Sequence, residues 1–444
     1  MSLDSGAVAS CATTAAVPVI DRDPAAYLAV HRALDEVATE SLLDAREREV
    51  RDEVRALAAR TIAPRAAHLD RTGEFAHESY QALAATGLAG LLFPASLGGS
   101  GDSTVAYAAA MEEICAACPA TSLVYMTQTH AAYPIMLAGG DGLARRHVPR
   151  LLDGSVYGSL AITEPNAGSD VSSLATTARR DGEGYLLNGS KTFITTGDRA
   201  GVIICFATTD RTAKRDGVSA FVVDCTADGA GARTAGGTVD GGPRGLSRGR
   251  PLHKMGMHGS TTAELFFDDV RVPEGNRLGT EGSGWRIVMN SVIKSRISAG
   301  AQGVGIARGA YAHALAELTR RHGPVLPPAL AARMAELRGR MLQARLLLLT
   351  TAAQVDRATG PAAATTGPPP TAAISMMKQQ CTDVGVAVAA DAVRLLGSAG
   401  DLRELGVERY LRDARVTQIY DGTNDIQRML IGRDTAARMK ETDL

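Results

Sequence analysis

The stretch Gln418-Ile-Tyr-Asp-Gly-Thr-Asn-Asp-Ile-Gln-Arg428 is the most informative part of this chain of 444 residues. Asp421 stands directly before a glycine, which is typical of a tight turn. Thr423 can cap a helix that follows the turn, and the amide and acidic side chains after it suit the positive first turn of that helix. The sequence therefore predicts a carboxylate that is held by fixed backbone at the start of a helix.

Two further segments that combine turn residues with small side chains lie far upstream. They are Ile162-Thr-Glu-Pro-Asn-Ala-Gly-Ser-Asp170 and Leu187-Asn-Gly-Ser-Lys-Thr-Phe-Ile-Thr-Thr-Gly197. Together with the stretch 418–428, they resemble the signatures of the acyl-CoA dehydrogenase family. The resemblance covers about residues 45 to 440. It implies an FAD-dependent enzyme that removes two vicinal hydrogens from an acyl thioester.

The spacing of apolar residues divides the chain into three parts. Val50, Val54 and Leu57 recur at helical spacing near the start, whereas β-branched runs such as Val218–Asp224 indicate strands in the middle. From Gly284 onward, helical patterns return and predict a bundle of about four helices. We expect an α+β fold that is mainly α, the architecture of the acyl-CoA dehydrogenase family. The predicted parts are an N-terminal extension (1–45), a helical domain (46–159), a β-barrel-like domain (160–275) and a four-helix bundle (276–444).

Two segments of biased composition interrupt this pattern. Residues 227–250 are rich in Gly, Ala and Thr and predict an extended loop. Residues 360–370 contain a run of prolines and predict a linker between two helices. The pattern Gly303-Val-Gly-Ile-Ala-Arg-Gly309 is superficially similar to a dinucleotide-binding loop, but no strand precedes it, so it indicates close helix packing.

The composition argues against several classes of partner. The chain has 47 basic and 48 acidic residues, so its formal net charge of −1 does not favour nucleic acid or an anionic membrane. No run reaches the roughly 18 apolar residues of a membrane span, and no signal peptide is expected. Of the six cysteines, only Cys115 and Cys118 are close together, so we expect no metal site and a reducing, cytoplasmic location.

The resemblance implies that Asp421 is the catalytic base. In the family a glutamate at this position removes the proton α to the thioester, while the β-hydrogen leaves as a hydride to the flavin. Aspartate is shorter by about 1 Å, and a misplacement of that size can lower a rate roughly 10²-fold. Three alternatives stay open: a closer approach of the substrate, removal of a different proton, or a reaction other than dehydrogenation. An oxidase or monooxygenase of the same fold, or a catalytically silent flavoprotein, would fit the last of these.

The acyl pocket is expected to lie beside this base. Some family members carry the base just before an arginine of the bundle, and the matching position here is Ser295, a poor base. Arg296 either sets the charge near the acyl group or forms a buried ion pair. A helix that lines the acyl cavity in the family ends in polar residues, which either bind a polar acyl group or close the core. The expected pocket residues are Ser295, Arg296, Gly422, Tyr125 and Gln128, with His130 as a further candidate.

The resemblance also implies a set of FAD contacts. Thr163 matches a hydrogen bond to the pyrimidine side of the flavin, and Thr195 matches a donor near its N5 atom. Phe193 matches an aromatic residue that lies against the isoalloxazine ring. The full set of expected cofactor residues is Thr163, Gly168, Ser169, Phe193, Thr195, Arg394, Gly397 and Thr423.

One cofactor segment departs from the family pattern. The family's Arg-x-x-Phe-Gly becomes Thr319-Arg-Arg-His-Gly-Pro-Val-Leu-Pro-Pro328, and a later Gln-containing motif becomes Arg394-Leu-Leu-Gly-Ser398. We expect Arg394 to supply the missing phosphate-binding cation, because a guanidinium binds a pyrophosphate in a bidentate manner. The alternative is a solvated arginine on a helix.

The expected partners follow from the same resemblance. The substrate would be an acyl thioester of CoA or of a carrier protein, with a short or polar acyl group. The electron acceptor would be an electron-transfer flavoprotein or oxygen. Because the FAD site of the family crosses a subunit contact, a homodimer or homotetramer is expected. The unusual base and cofactor segment favour a specialised biosynthetic role.

Overall fold

The computed structural model describes residues 19–226, 242–359 and 370–441. The predicted linker at 360–370 therefore lies outside the described residues except for its last position. Most of the predicted loop at 227–250 also lies outside them. Within its described part, Leu246–Arg248 forms a short strand, so the prediction of an extended loop is wrong for these three residues.

The N-terminal part of the structure is helical. Two helix ends in this part carry clear signals. Asp44 and Glu47 form a capping box at the start of one helix, and Gly73 ends another in the left-handed conformation, with φ 70°. The helices are α1 (Val19–Arg22), α2 (Pro24–Ala33), α3 (Val37–Glu40), α4 (Ala45–Leu57), α5 (Ala63–Thr72), α6 (His77–Ala85), α7 (Thr104–Ala117), α8 (Pro119–Ala138) and α9 (Gly140–Leu152). Helix α7 is buried along its whole length, and most of α8 is buried too, so these two helices form the centre of the domain.

The described residues of the middle part form one eight-stranded sheet. Its strands are β1 (Gly158–Ala161), β2 (Thr177–Asp181), β3 (Gly184–Thr195), β4 (Val202–Thr208), β5 (Val218–Asp224), β6 (Leu246–Arg248), β7 (Thr262–Pro273) and β8 (Arg277–Leu278). The strand order is β6-β7-β3-β2-β4-β5-β8, and β1 pairs with β4 in parallel. Strands β3 and β7 are long antiparallel partners with a register shift between Lys191 and Ile194. This irregularity matters for the site, because it lies within the second upstream segment of the sequence.

The C-terminal part is a bundle of long helices. They are α10 (Gly284–His322), α11 (Pro328–Thr359), α12 (Thr371–Leu395), α13 (Val407–Thr417) and α14 (Asn424–Glu441). The glycine pattern at 303–309 lies inside α10, where a Cβ on Gly305 would stand 2.6 Å from the carbonyl oxygen of Glu112. The predicted α+β fold class, mainly α, with its three-part order is confirmed. Strand β1 begins slightly before the predicted start of the β domain, and the whole of β8 lies just beyond its predicted end.

The predicted N-terminal extension is folded against the core from Val19 onward. Tyr27 and His31 on α2 are fully buried, and Leu34 is nearly so. The Asp35 carboxylate accepts hydrogen bonds from Arg55 at 2.7 and 2.9 Å. The segment 19–43 is therefore an integral layer of the helical domain.

Among the described residues, no helix combines the length and the apolar character that a bilayer crossing requires. The same residues contain no group of three or more His, Cys, Asp or Glu side chains with the arrangement of a metal site.

Candidate active site

Asp421 lies in a turn between α13 and α14 that is fixed by its own backbone. Asp421 and Gly422 both have positive φ angles, 56° and 88°. Aspartate tolerates this left-handed conformation better than most residues, and glycine adopts it without strain. The backbone N–H of Asn424 donates to the carbonyl of Gln418 at 2.9 Å, which closes the turn. The Thr423 hydroxyl accepts from the backbone N–H of Ile426 at 3.3 Å, as the sequence predicts for a helix cap.

Two side chains from outside the turn hold it in place. The Lys378 ammonium on α12 donates to the carbonyl of Gly422 at 3.0 Å and to Oδ1 of Asn424 at 2.9 Å. Nε2 of Gln427 donates to the same Gly422 carbonyl at 3.0 Å. Burial lowers the pKa of Lys378 to about 8, and the negative charge of Asp421 acts in the opposite direction. The turn therefore rests on a buried lysine that titrates near the physiological range.

Arg296 brings a second, partly buried cation to the turn. Its Nε donates to the backbone carbonyl of Asp421 at 3.5 Å, and burial lowers its pKa while the Asp421 charge raises it. Oδ2 of Asp421 is buried and has no hydrogen-bond partner among the described residues. A buried oxygen without a partner costs free energy unless something else contacts it. Oε1 of Gln427 is likewise buried without a partner among the described residues, so the turn offers two open acceptors, one of which is a carboxylate oxygen.

The other predicted pocket residues have different surroundings. Ser295 is buried and its hydroxyl donates to the carbonyl of Val292 at 3.1 Å; the part of the chain that the structure describes shows no hydrogen bond from Ser295 to a basic side chain. The Tyr125 hydroxyl donates to the carbonyl of Leu88 at 3.0 Å. Gln128 accepts from the backbone N–H of Gly158 at 2.7 Å. The polar groups of Tyr125 and Gln128 thus tie α8 to its neighbours, which is the core-closing alternative for these two positions.

The two upstream segments meet at the register shift of β3. The backbone N–H of Thr192 donates to the carbonyl of Thr163 at 2.9 Å. Phe193 has φ 57° and exposes 67% of its surface. Thr163 and Thr195 are half-buried on either side of this link. An exposed phenylalanine in a strained backbone conformation, flanked by hydroxyl groups, fits a flat aromatic cofactor that covers the ring.

A buried ion pair supports this surface from below. The Lys191 ammonium donates to Oε1 of Glu164 at 2.7 Å and to the carbonyl of Ile162 at 3.0 Å. The other Glu164 oxygen accepts from the backbone N–H of Ala175 at 2.6 Å. The sequence pattern alone predicts no role for Glu164 or Lys191, although both belong to the quoted segments. Gly168 and Ser169 follow in an exposed turn, where they are accessible to a phosphate.

Helix α8 connects the β surface with the Asp421 turn. Gln128 contacts Gly158 on β1, and the hydroxyl of Thr196 donates to the carbonyl of the same glycine at 2.5 Å. Two residues further along α8, Nε2 of His130 lies 3.4 Å from the hydroxyl of Ser298 on α10. Burial lowers the pKa of His130, and the Asp421 charge partly offsets this effect, which places that carboxylate nearby. Helix α8 therefore contacts strand β1 through Gln128 and helix α10, next to the Asp421 turn, through His130.

Arg394 and Gly397 lie elsewhere in this chain. Arg394 is on α12, 16 residues beyond Lys378, which corresponds to about 24 Å along a helix. Its guanidinium is exposed and pairs with Asp391 at 2.6 Å. Gly397 follows the end of α12 with φ 63°. The structure does not bring these two residues to the Asp421 cluster within one chain, and the role of Arg394 towards FAD stays a prediction.

Comparisons with known proteins identify the family of this fold and site. Profiles of the N-terminal, middle and C-terminal domains of acyl-CoA dehydrogenases match residues 44–155, 159–270 and 282–436 in that order. The chain belongs to the acyl-CoA dehydrogenase family. It is therefore a flavin oxidoreductase that uses FAD and acts on CH–CH bonds of acyl thioesters.

Individual relatives are similar over almost their whole length. The chain is 36% identical over 389 residues to an acyl-CoA dehydrogenase of Bacillus subtilis (strain 168), which covers 86% of this chain and 96% of the relative. It is 37% identical over 387 residues to a cyclohex-1-ene-1-carbonyl-CoA dehydrogenase of Geobacter metallireducens, with the same coverage of 86% and 96%. The butyryl-CoA dehydrogenase structure from Megasphaera elsdenii has 30% identity and a TM-score of 0.79, covering 89% of this chain and 99% of that one. The prolyl acyl carrier protein oxidase AnaB has 26% identity and a TM-score of 0.78, with coverage of 88% and 99%.

The buried lysine under the turn leads to a first prediction. As the pH rises through about 8, Lys378 loses its proton and its hydrogen bonds to the turn lose their charge assistance. We expect kcat/KM for dehydrogenation to fall above this pH. The variant Lys378→Met should lose about 10-fold in kcat/KM at neutral pH and show no such decline. The measurement is the pH profile of both proteins.

A half-buried lysine with a similarly lowered pKa provides the matched control. Burial also lowers the pKa of Lys254 to about 8, but its ammonium donates to the carbonyl of Ser260 in the β domain. Lys254→Met should keep the decline of kcat/KM. If the decline persists in Lys378→Met and disappears in Lys254→Met, Lys378 is not the positioning residue of the turn.

Proposed function

We propose that Asp421 removes the α-proton of the acyl thioester. One observation carries this proposal: a buried carboxylate oxygen that has no partner within the described ranges of the chain, on a turn whose backbone is held from both sides. A general base must meet its proton at hydrogen-bond distance, and a fixed turn limits the geometries that the base can adopt. Ser295, at the alternative position, donates its hydroxyl proton to the backbone carbonyl of Val292.

The residues of the chain divide the work of the reaction. Asp421 accepts the α-proton, and the β-hydrogen leaves with its electron pair, so that the product is the α,β-unsaturated thioester. FAD, when bound, supplies the acceptor for that electron pair. Lys378 and Gln427 hold the Gly422 carbonyl and thereby keep the backbone of the turn fixed. Arg296 would contribute a partly buried positive charge beside the residue that performs the proton transfer.

The cofactor would be held at the β3 surface. Phe193 would cover one side of the flavin ring, with Thr163 and Thr195 as hydrogen-bonding groups at its edge. Ser169 and Gly168 would contact the phosphates in their exposed turn. The support for this arrangement is the exposed phenylalanine with its positive φ, which lies beside two half-buried hydroxyl groups.

The proposal also names the substrate carrier, the electron acceptor and the oligomeric state. The substrate is an acyl thioester of CoA or of a carrier protein; the Geobacter relative is named for a CoA thioester and AnaB for a carrier protein. The electrons pass to an electron-transfer flavoprotein or to oxygen. A homodimer or homotetramer would bring Arg394 of one copy towards the cofactor of another. The five cysteines of the described part are free and buried, which suits a reducing cytoplasm.

Anaerobic mixing tests the reaction directly. Holoenzyme reconstituted with FAD is mixed with a panel of acyl-CoA and acyl-carrier-protein thioesters, and flavin absorbance is followed. We expect at least one thioester to bleach the flavin and to yield a product lighter by two hydrogens in mass spectrometry. If no member of a broad panel bleaches the flavin, the protein is not an acyl-thioester dehydrogenase. Peroxide release after admission of air identifies oxygen as the acceptor, whereas slow reoxidation favours an electron-transfer flavoprotein.

A further inference from the structure

A cluster of three uncharged polar side chains lies between α7, α8 and α10, close to the Asp421 turn. The hydroxyl oxygens of Tyr107 and Ser298 are 2.9 Å apart, and Nε2 of His130 is 3.4 Å from the Ser298 hydroxyl. We call these three residues the polar acyl cluster. Ser298 is fully buried and Tyr107 nearly so, whereas His130 keeps 8% of its surface exposed. The Asp421 turn packs against the part of α10 that carries Ser298: Arg296 donates to the Asp421 carbonyl at 3.5 Å, and the Tyr420 hydroxyl donates to Gln302.

The protons of the cluster can be assigned by counting donors. The Ser298 hydroxyl donates its single proton to the backbone carbonyl of Lys294 at 3.1 Å. Ser298 therefore accepts from its other neighbours, so that Tyr107 and the Nε2–H of His130 act as donors towards it. Tyr107 also interacts with the hydroxyl of Thr129. The capacity that is left over consists of acceptors: Nδ1 of His130, for which the described residues offer no partner, and a lone pair of the Tyr107 oxygen.

The charge state of the cluster supports this count. Burial lowers the pKa of His130 and raises the pKa of Tyr107 to about 12, so both are neutral at neutral pH. The nearby cations already have partners in the chain: Lys294 donates to the Thr104 hydroxyl, and Lys378 holds the Asp421 turn. The cluster therefore offers neutral acceptors, while the charged groups near it, the Asp421 carboxylate with Arg296 and Lys378, belong to the turn. A plain alkyl chain placed against it would leave these acceptors without a partner, which costs binding free energy.

We infer that the polar acyl cluster selects acyl groups that carry a hydrogen-bond donor, a hydroxyl or an amine, over alkyl groups of the same size. This inference rests on the proposed function, because it places the acyl chain between Asp421 and the helices α7, α8 and α10. It assigns Tyr107, His130 and Ser298 as specificity-determining residues, none of which acts as the base. Of the pocket candidates on α8, it keeps His130 and leaves Tyr125 and Gln128 as packing residues.

The test separates binding from reaction. The ligands are thioether analogues of acyl-pantetheine, which do not react, with a methyl, hydroxyl or amino group at the third or fourth carbon of the chain. We expect wild-type holoenzyme to bind a donor-bearing analogue about 10-fold or more tightly than the matched methyl analogue. The hydroxyl and amino ligands show which donor is preferred. In Tyr107→Phe and His130→Leu this ratio should fall towards one, as measured by calorimetry.

The control removes a buried tyrosine hydroxyl outside the polar acyl cluster. The Tyr410 hydroxyl is buried and donates to the backbone carbonyl of Ala116 at 2.6 Å. Tyr410→Phe should leave the ratio of donor to methyl affinity unchanged. Equal affinity for the donor and methyl analogues in the wild-type protein overturns the inference, and so does an unchanged ratio in both cluster variants.

Reactive thioesters distinguish a failure of the inference from a failure of the proposed function. The pair is 3-hydroxybutanoyl- and 3-methylbutanoyl-pantetheine, mixed anaerobically with the holoenzyme. If the methyl thioester bleaches the flavin while donor ligands bind no more tightly, the proposed function stands and the inference fails. If neither these nor the wider panel bleach the flavin, the proposed function fails, and the affinity ratio still decides whether the cluster selects donors.

Discussion

The variant Asp421→Asn should reduce bound flavin about 10²- to 10⁴-fold more slowly than the wild-type protein, because general-base catalysis contributes a factor of this size. Asparagine keeps the shape of the side chain and tolerates the left-handed backbone of this turn, with φ 56°. An alanine would add backbone strain to the loss of the carboxylate. The measurement is single-turnover flavin bleaching by the best thioester of the panel. Thioether affinity should change little, because the substitution removes a base and not the pocket.

The charge-conserving variant Asp421→Glu tests the reach of the side chain. Glutamate moves the carboxylate by about 1 Å, and a shift of that size can cost up to roughly 10²-fold in rate. If the pocket is shaped for aspartate, the rate of flavin bleaching in Asp421→Glu falls between the rates of Asp421→Asn and the wild-type protein. Wild-type bleaching rates in the asparagine variant would exclude Asp421 as the base. A faster glutamate variant would mean that this pocket holds its substrate too far from the native side chain.

The local part of this site could be predicted from sequence because it depends on neighbouring residues. The turn at Asp421 and the cap at Thr423 follow from side-chain and backbone preferences within a few positions. The main helices and the strands β3, β4, β5 and β7 likewise follow from the spacing of apolar residues. Strand β6 did not, because Leu246–Arg248 contains little apolar pattern and is paired only by its neighbour β7.

The supporting contacts could not be predicted, because they depend on how helices cross. Lys378 lies mid-helix on α12, and nothing in its local pattern distinguishes it from a solvated lysine. Its partner, Gly422, is distant in sequence and offers only a backbone carbonyl. Tyr107 and Ser298 belong to helices whose apolar neighbours indicate core packing alone. Tyr125, by contrast, was a natural pocket candidate by its position on α8, but its hydroxyl is directed to Leu88.

The N-terminal segment 19–43 shows the same limit on a larger scale. Its sequence indicates a short helical stretch in an extension, but the structure joins it to a buried network of charges. Arg308 on α10 donates to Oδ1 of Asp35 at 2.8 Å and to Oε1 of Glu112 at 3.0 Å. Arg55 donates to Asp35 and to Glu113, and Glu113 is fully buried. The pattern of single residues does not reveal such a network, since each arginine alone is typical of a helix surface.

The variant Arg308→Met should lower the free energy of unfolding by about 3–5 kcal/mol, the usual cost of removing one partner from a buried ion pair. Burial acts to lower the pKa of Arg308, but the carboxylates of Glu113 and Glu112 outweigh it and raise the pKa. Methionine fills a similar volume and leaves those carboxylates without their shared cation. The measurement is the midpoint of thermal and urea unfolding, followed by the helical signal in circular dichroism.

An exposed arginine of the same helix supplies the control. Arg320 pairs with Glu317 at 2.7 Å, and its side chain is 65% exposed. Because exposed ion pairs contribute about 0–1 kcal/mol, Arg320→Met should leave both midpoints nearly unchanged. The unfolding midpoints of Asp35→Asn should fall between those of the two arginine variants, since this change weakens only the link from the N-terminal segment to Arg308 and Arg55. Equal midpoints for Arg308→Met and the wild-type protein would show that the contacts of Arg308 do not stabilise the fold. The segment 19–43 would then be held by its other contacts, such as those of Asp21 with His313 and Arg409.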